Sequence, residues 1–198
     1  MPTAPRIVRN RDLAPAWTVL RAREPGFQRS LITWMGGPDG YINTNPGVAI
    51  ESRHCAVGLM DMPVGNRQPG VHTHTIDEIY VILEGQCESF DGIGNTHIAG
   101  PYDCLYIPKG VPHGVRTIGT QDLKLLWVND DIERWGVSVY AEGPGWSEVA
   151  VAHDARCGGH ERSIPYQQGP DRFGPTPRQS FDAARALLTS WRASSGPA

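Results

Sequence analysis

Apolar and polar positions alternate along this chain in short bursts separated by glycine, proline and aspartate, a rhythm that predicts strands and turns. Val48 to Met62 alternates weakly and feeds a turn over Pro63 to Gly70. Ile79-Tyr-Val-Ile-Leu83 is a continuous apolar run bounded by Gly85, the pattern of a strand covered on both faces. Asp91-Gly92 supplies a hairpin turn between Cys87–Phe90 and Asn95–Ile98. Asp103 to Ile107 forms a further strand stopped by Pro108. Gly114–Ile118 and Leu123–Val128 read as antiparallel partners across the Gly119–Asp122 turn. Short strands at near-regular spacing predict an all-β fold, a double-sheet jelly-roll barrel over residues 47–142.

The two ends differ from this middle. Residues 1–46 read as an irregular N-terminal arm packing on the barrel, with apolar stretches at Trp17–Leu20 and Phe27–Trp34 and a loop cluster at Gly36–Gly40. Residues 143–198 form a C-terminal extension, rich in glycine and proline up to residue 175. Thr176-Pro-Arg-Gln179 then reads as a capping box opening a short terminal helix. Phe181, Ala184, Leu187, Leu188 and Trp191 fall on one face of that helix. The stripe must be covered, either by its own barrel or by a partner subunit.

Composition narrows the function classes. A net charge of −3 and a pI near 6.1 give no basic surface for nucleic acid or an anionic membrane. No apolar run reaches the ~18 residues of a membrane span, and the N-terminus lacks a signal-peptide core, so a cytoplasmic protein is expected. Cys55, Cys87, Cys104 and Cys157 show no CxxC spacing and read as reduced thiols.

Candidate chemistry concentrates in the middle. His72 and His74 would share one face of a strand, Glu78 keeps that parity, and His113 follows the Pro108-Lys-Gly110 turn. Imidazole nitrogens and a carboxylate suit one divalent transition metal: Fe, Mn, Co, Ni, Cu or Zn. Four such ligands leave two octahedral positions for substrate, water or O2, as in a reactive centre.

These residues resemble the two motifs of the cupin superfamily. The first reads Gly65, His72-Thr-His74, Glu78 and Gly85, with one extra residue between Gly65 and His72. The second matches at Pro108, Gly110 and His113, while Tyr102 stands before Asp103 in place of the usual glycine and Thr117 in place of an asparagine. The resemblance covers roughly Gly47 to Asn129 and implies a one-barrel protein that pairs as a homodimer. It implies metal ligation by His72, His74, Glu78 and His113, one ion per chain, with Fe(II) favoured and Mn, Ni or Zn as alternatives.

Strand parity nominates the substrate pocket. Tyr80 and Ile82 share the face of Glu78, Val115 that of His113, Cys104 and Tyr106 line an approaching strand, and Trp127 is a candidate wall. Trp34 or Tyr41 is a candidate lid, and Glu78 and Tyr80 are the candidate catalytic pair. Similarity to quercetinases and acireductone dioxygenases implies a non-haem Fe(II) dioxygenase acting with O2 on a small dione, hydroxyacid or phenolic ketone that chelates the metal. The alternatives are a non-oxidative metal-dependent lyase or isomerase of a small acid, and a ligand-binding protein without turnover.

Overall fold

The computed structural model describes residues 4–17, 21–36, 45, 47–52, 54–73, 76–90 and 95–130, together with the backbone of strands at 137–142 and 147–152. The strands are β1 (Ser30–Gly36), β2 (Ile50–Glu51), β3 (Cys55–Met62), β4 (Val71–Thr73), β5 (Glu78–Glu84) and β6 (Gln86–Phe90). They continue with β7 (Thr96–Ala99), β8 (Cys104–Ile107), β9 (Gly114–Ile118), β10 (Leu123–Asp130), β11 (Val137–Glu142) and β12 (Ser147–Ala152). One short 3-10 turn, Asn10–Asp12, precedes them. The fold is the all-β jelly roll that the strand pattern predicts. The predicted C-terminal helix lies outside the described residues, and no described helix is long and apolar enough to cross a membrane.

A six-stranded sheet runs β2-β1-β3-β10-β5-β8, and two three-stranded sheets run β12-β11-β4 and β7-β6-β9. Alternation decides what each strand buries. Along β10, Leu123, Leu125, Trp127 and Asn129 point inward. Their cross-strand neighbours Met60, Met62, Tyr80 and Ile82 join them in one core with Cys87, Ala99 and Val115 of the small sheet, so the two layers close on a shared interior.

The outer face of the large sheet is also covered. Ile32, Leu59 and Leu83 pack there with Val8 and Leu13 from the N-terminal residues and with Trp34. This explains the unbroken Ile79–Leu83 run: Tyr80 and Ile82 are buried in the barrel, while Ile79, Val81 and Leu83 are half-buried on the other side. Trp34 is therefore a surface brace, its Nε1 donating to Asn10 Oδ1 at 2.9 Å, and not a lid. Tyr41 lies outside the described residues. The apolar stretch assigned to the arm supplies β1, a full sheet strand between β2 and β3.

One predicted pairing is corrected. Gly114–Ile118 and Leu123–Asp130 do not pair with each other: β9 joins β6, and β10 lies between β3 and β5. The Gly119–Asp122 turn carries the chain from one layer to the other. Gly85 does the same between β5 and β6, with φ 72° and the backbone of Asp122 where a Cβ would lie, so a side chain is excluded twice over.

Candidate metal centre

Backbone pairing brings the two halves of the site together. His72 N–H donates to His113 O at 2.8 Å, and His113 N–H returns a bond to His72 O at 2.9 Å. Residues that exchange both bonds sit directly opposite one another. Their imidazoles accordingly lie 4.2 Å apart between ring centroids, tilted by 51°. Glu78 reaches the same point from the start of β5, and ligand atoms of His72, Glu78 and His113 all fall within 4.8 Å of one another. All three residues are buried. His74 lies outside the described residues, so three of the four predicted ligands are seen to converge.

The donor set fits a cation. His113 Nδ1 lies 3.0 Å from the carbonyl oxygen of Val111, which can only accept, so Nδ1 carries a proton. Nε2 faces Glu78 Oε2 at 2.9 Å and, wherever the ring carries no second proton, presents a lone pair there. Two electron-pair donors at that separation repel unless a proton or a metal ion lies between or beside them. Two imidazoles and one carboxylate in a site closed to water are ordinary ligands for a first-row divalent ion. Asn129 Nδ2 donates to the other oxygen, Glu78 Oε1, at 3.2 Å.

Asp77 ties down the surroundings. Its carboxylate accepts the Lys109 amide and the Tyr106 hydroxyl, each at 2.8 Å. Those bonds, the Lys109 amide first, hold its carboxyl below the usual carboxylate range, and the same contact raises the Tyr106 phenol. Asp77 N–H donates to Asp130 Oδ1 at 2.9 Å. The turn before His113 is thus fastened to the residue before Glu78.

The pocket residues divide by face. Tyr80, Ile82, Val115 and Trp127 are buried inside the barrel. The Tyr80 ring stands edge-on to His113 with centroids 6.2 Å apart. Trp127, opposite Tyr80 in the β5–β10 ladder, has a buried Nε1 with no hydrogen-bond partner among the described residues. Cys104 and Tyr106 are a correction: both are exposed, Tyr106 at 55%. Register explains it. β8 pairs Ile107 with Glu78 and Leu105 with Tyr80, so those two face the barrel interior and Cys104 and Tyr106 turn away. Arg116 and Lys109 are exposed, and Arg116 pairs with Glu88.

Asn129, Asp77 and Gln68, whose Oε1 accepts the Val115 amide at 2.9 Å, were not singled out from sequence. For Asn129 a signal existed: it holds the inward parity of Leu125 and Trp127, where a polar residue needs a reason.

Comparison with known proteins gives the family. Residues 58–129 match the cupin domain. That stretch of the chain is a cupin domain. Over 103 residues the chain is 32% identical to dimethylsulfoniopropionate lyase DddQ of Ruegeria pomeroyi, a stretch that covers 52% of this chain and 51% of that protein. It thus spans about half the length of the curated relative it matches. Among solved structures, the polyketide cyclase RemF of Streptomyces resistomycificus aligns with a TM-score of 0.49 and 22% identity, over 64% of this chain and 80% of that one. The DddQ crystal structure aligns with a TM-score of 0.47 and 23% identity, over 63% and 59% respectively.

Proposed function

We propose that this cupin is a divalent-metal-dependent lyase that eliminates a leaving group from the β-carbon of a small carboxylate. The observation that carries this reading is the 32% identity to a protein named dimethylsulfoniopropionate lyase. It is supported by a buried His72–Glu78–His113 cluster beside the Tyr80 ring. The O2-dependent alternative draws no comparable support, so the non-oxidative reading is preferred.

The chemistry divides among named groups. A divalent ion held by His72, Glu78 and His113, with His74 as the candidate fourth ligand, would supply Lewis acidity toward a substrate carboxylate and acidify the adjacent C–H. Tyr80, as its phenolate, is the assigned proton acceptor, because both oxygens of Glu78 are already committed, Oε1 to the Asn129 amide and Oε2 to the cation site beside His113. Removal of the α-proton leaves an electron pair that becomes the C=C bond as the β-substituent departs with its own pair. No oxidant is needed. Ile82 and Val115, buried in the barrel core with Tyr80, are assigned to keep water from the reacting carbon. The Trp127 indole N–H is a buried donor for a substrate oxygen. Ile82, Val115 and Trp127 are therefore the assigned pocket residues.

The test is a panel of propionates carrying β-sulfonium, β-hydroxyl or β-amino groups, dimethylsulfoniopropionate among them. Each is incubated with metal-reconstituted enzyme with and without O2 and followed by proton NMR. Alkene formation at equal rates in both atmospheres is expected. Turnover that consumes O2 stoichiometrically, or no alkene from any β-substituted acid, would replace this reading with another.

A further inference from the structure

We infer that Asn129 is a positioning residue that assigns the two oxygens of Glu78 to different tasks: Oε1 to a protein amide, Oε2 to the metal. The inference rests on the metal reading of His72, Glu78 and His113.

The polarity of the contact is unambiguous. A carboxylate only accepts, so the Asn129 group facing Oε1 at 3.2 Å is the Nδ2 amide, donating. Both side chains are buried, Asn129 at 2% and Glu78 at 6% exposure, so bulk water does not substitute for the bond. The contact is built in by register. Asn129 and Glu78 are Cα partners in the β10–β5 ladder, and Asn129 faces the small, fully buried Ala56 on its other side. The next pair along is locked as well, Asp77 N–H to Asp130 Oδ1 at 2.9 Å and Asp130 N–H to Asp77 O at 3.3 Å. Slippage of β10 against β5 would break all three bonds together.

The consequence lies in how Glu78 can ligate. With Oε1 tied to an amide, Oε2 is the oxygen directed toward His113 Nε2, which it meets at 2.9 Å. A carboxylate held this way gives a single oxygen to a cation, and positions that a second oxygen would occupy stay open for substrate. Partners of this kind around a metal typically change affinity by about 10–100-fold when removed. Asparagine supplies the donor without adding charge, whereas an aspartate at 129 would set a second anion against Glu78.

Co(II) is the probe. The whole chain is loaded with Co(II) as wild type and as Asn129→Leu, and its visible ligand-field spectrum and affinity are measured by competition titration. Asn129→Leu is expected to weaken Co(II) binding by about 10–100-fold. At saturation it should give an altered ligand-field band at unchanged 1:1 stoichiometry. In a Glu78→Gln background the same substitution should change affinity less than about twofold, because the bond it removes is already altered. Asn129→Val, also without a donor, carries the test if the leucine variant does not fold, judged by far-ultraviolet circular dichroism of the apo-protein. Wild-type spectrum and affinity in a folded variant would overturn the role of Asn129. A wild-type chain that binds no Co(II) would overturn the metal reading and this inference with it.

Discussion

Gly58 lies at the centre of the large sheet, paired to Thr33 of β1 on one side and to Trp127 of β10 on the other. A methyl group there would overlap the Ile32 carbonyl oxygen and the Trp127 ring, whose Cε2 would stand 2.7 Å away. Neither neighbour yields easily. Ile32 belongs to the β1–β3 ladder, and Trp127 is packed within the core opposite Tyr80. Overpacking of a well-filled core typically costs 1–3 kcal/mol, and a clash with fixed backbone puts Gly58→Ala at about 3 kcal/mol. For a chain of this size that corresponds to a fall in Tm of roughly 6–12 °C. Denaturant titration of four proteins separates the two clashes: wild type, Gly58→Ala, Trp127→Leu and the double variant. Part of the penalty comes from the indole and the rest from the carbonyl. Gly58→Ala should therefore cost at least about 1 kcal/mol less in the Trp127→Leu background. Equal penalties in the two backgrounds, or a Gly58→Ala protein within about 0.5 kcal/mol of wild type, would refute this account of the packing behind the pocket wall.

Other outcomes follow from the site and the core. His113→Ala should lose metal retention, read as bound metal per chain by mass spectrometry after dialysis. Its apo-fold should persist, destabilised by about 1–3 kcal/mol because Glu78 Oε2 loses a buried partner; stoichiometric metal in that variant would remove His113 from the site. Tyr80→Phe should lower kcat by about 10²–10⁴-fold with metal content unchanged, and unaltered turnover would reduce Tyr80 to packing. Burial pushes the Cys87 thiol up to about 11 from its ordinary value near 9. A raised folded value means stability is fully present below pH 9 and lost as pH climbs through 11, since the unfolded thiol ionises first. The loss amounts to about 2–3 kcal/mol. It should disappear from the difference between unfolding curves at pH 8 and pH 11 in Cys87→Ala; the same pH dependence in that variant would contradict it.

What could be read from the chain, and what could not, divides along physical lines. The ligand spacings and turn residues were legible because they are local: His72, Glu78 and His113 converge as their offsets predict. Even a departure from the cupin pattern has a visible backbone consequence. Tyr102 stands where the family uses glycine and adopts φ 71°, a left-handed conformation that glycine takes freely and tyrosine does not. Facing and partnership were less legible because they depend on distant strands. Nothing in Cys104–Ile107 alone says which parity faces inward; the pairing of Ile107 with Glu78 settles it. Likewise β9 and β10, close in sequence, belong to different layers because a jelly roll closes by crossing between sheets.

Asn129 belongs to both classes, and it shows how register and chemistry depend on each other here. An amide at an inward strand position is unfavourable unless an acceptor faces it, and a buried carboxylate is unfavourable unless donors or a cation face it. In the observed register each supplies what the other lacks. A one-residue slip of β10 would turn Asn129 outward and set Val128 against Glu78. The polar pair therefore opposes misregistration at the same place where it orients a metal ligand. A sequence change that preserves the hydrophobic pattern of β10 but removes this amide should leave the sheet intact and the cation site poorly defined.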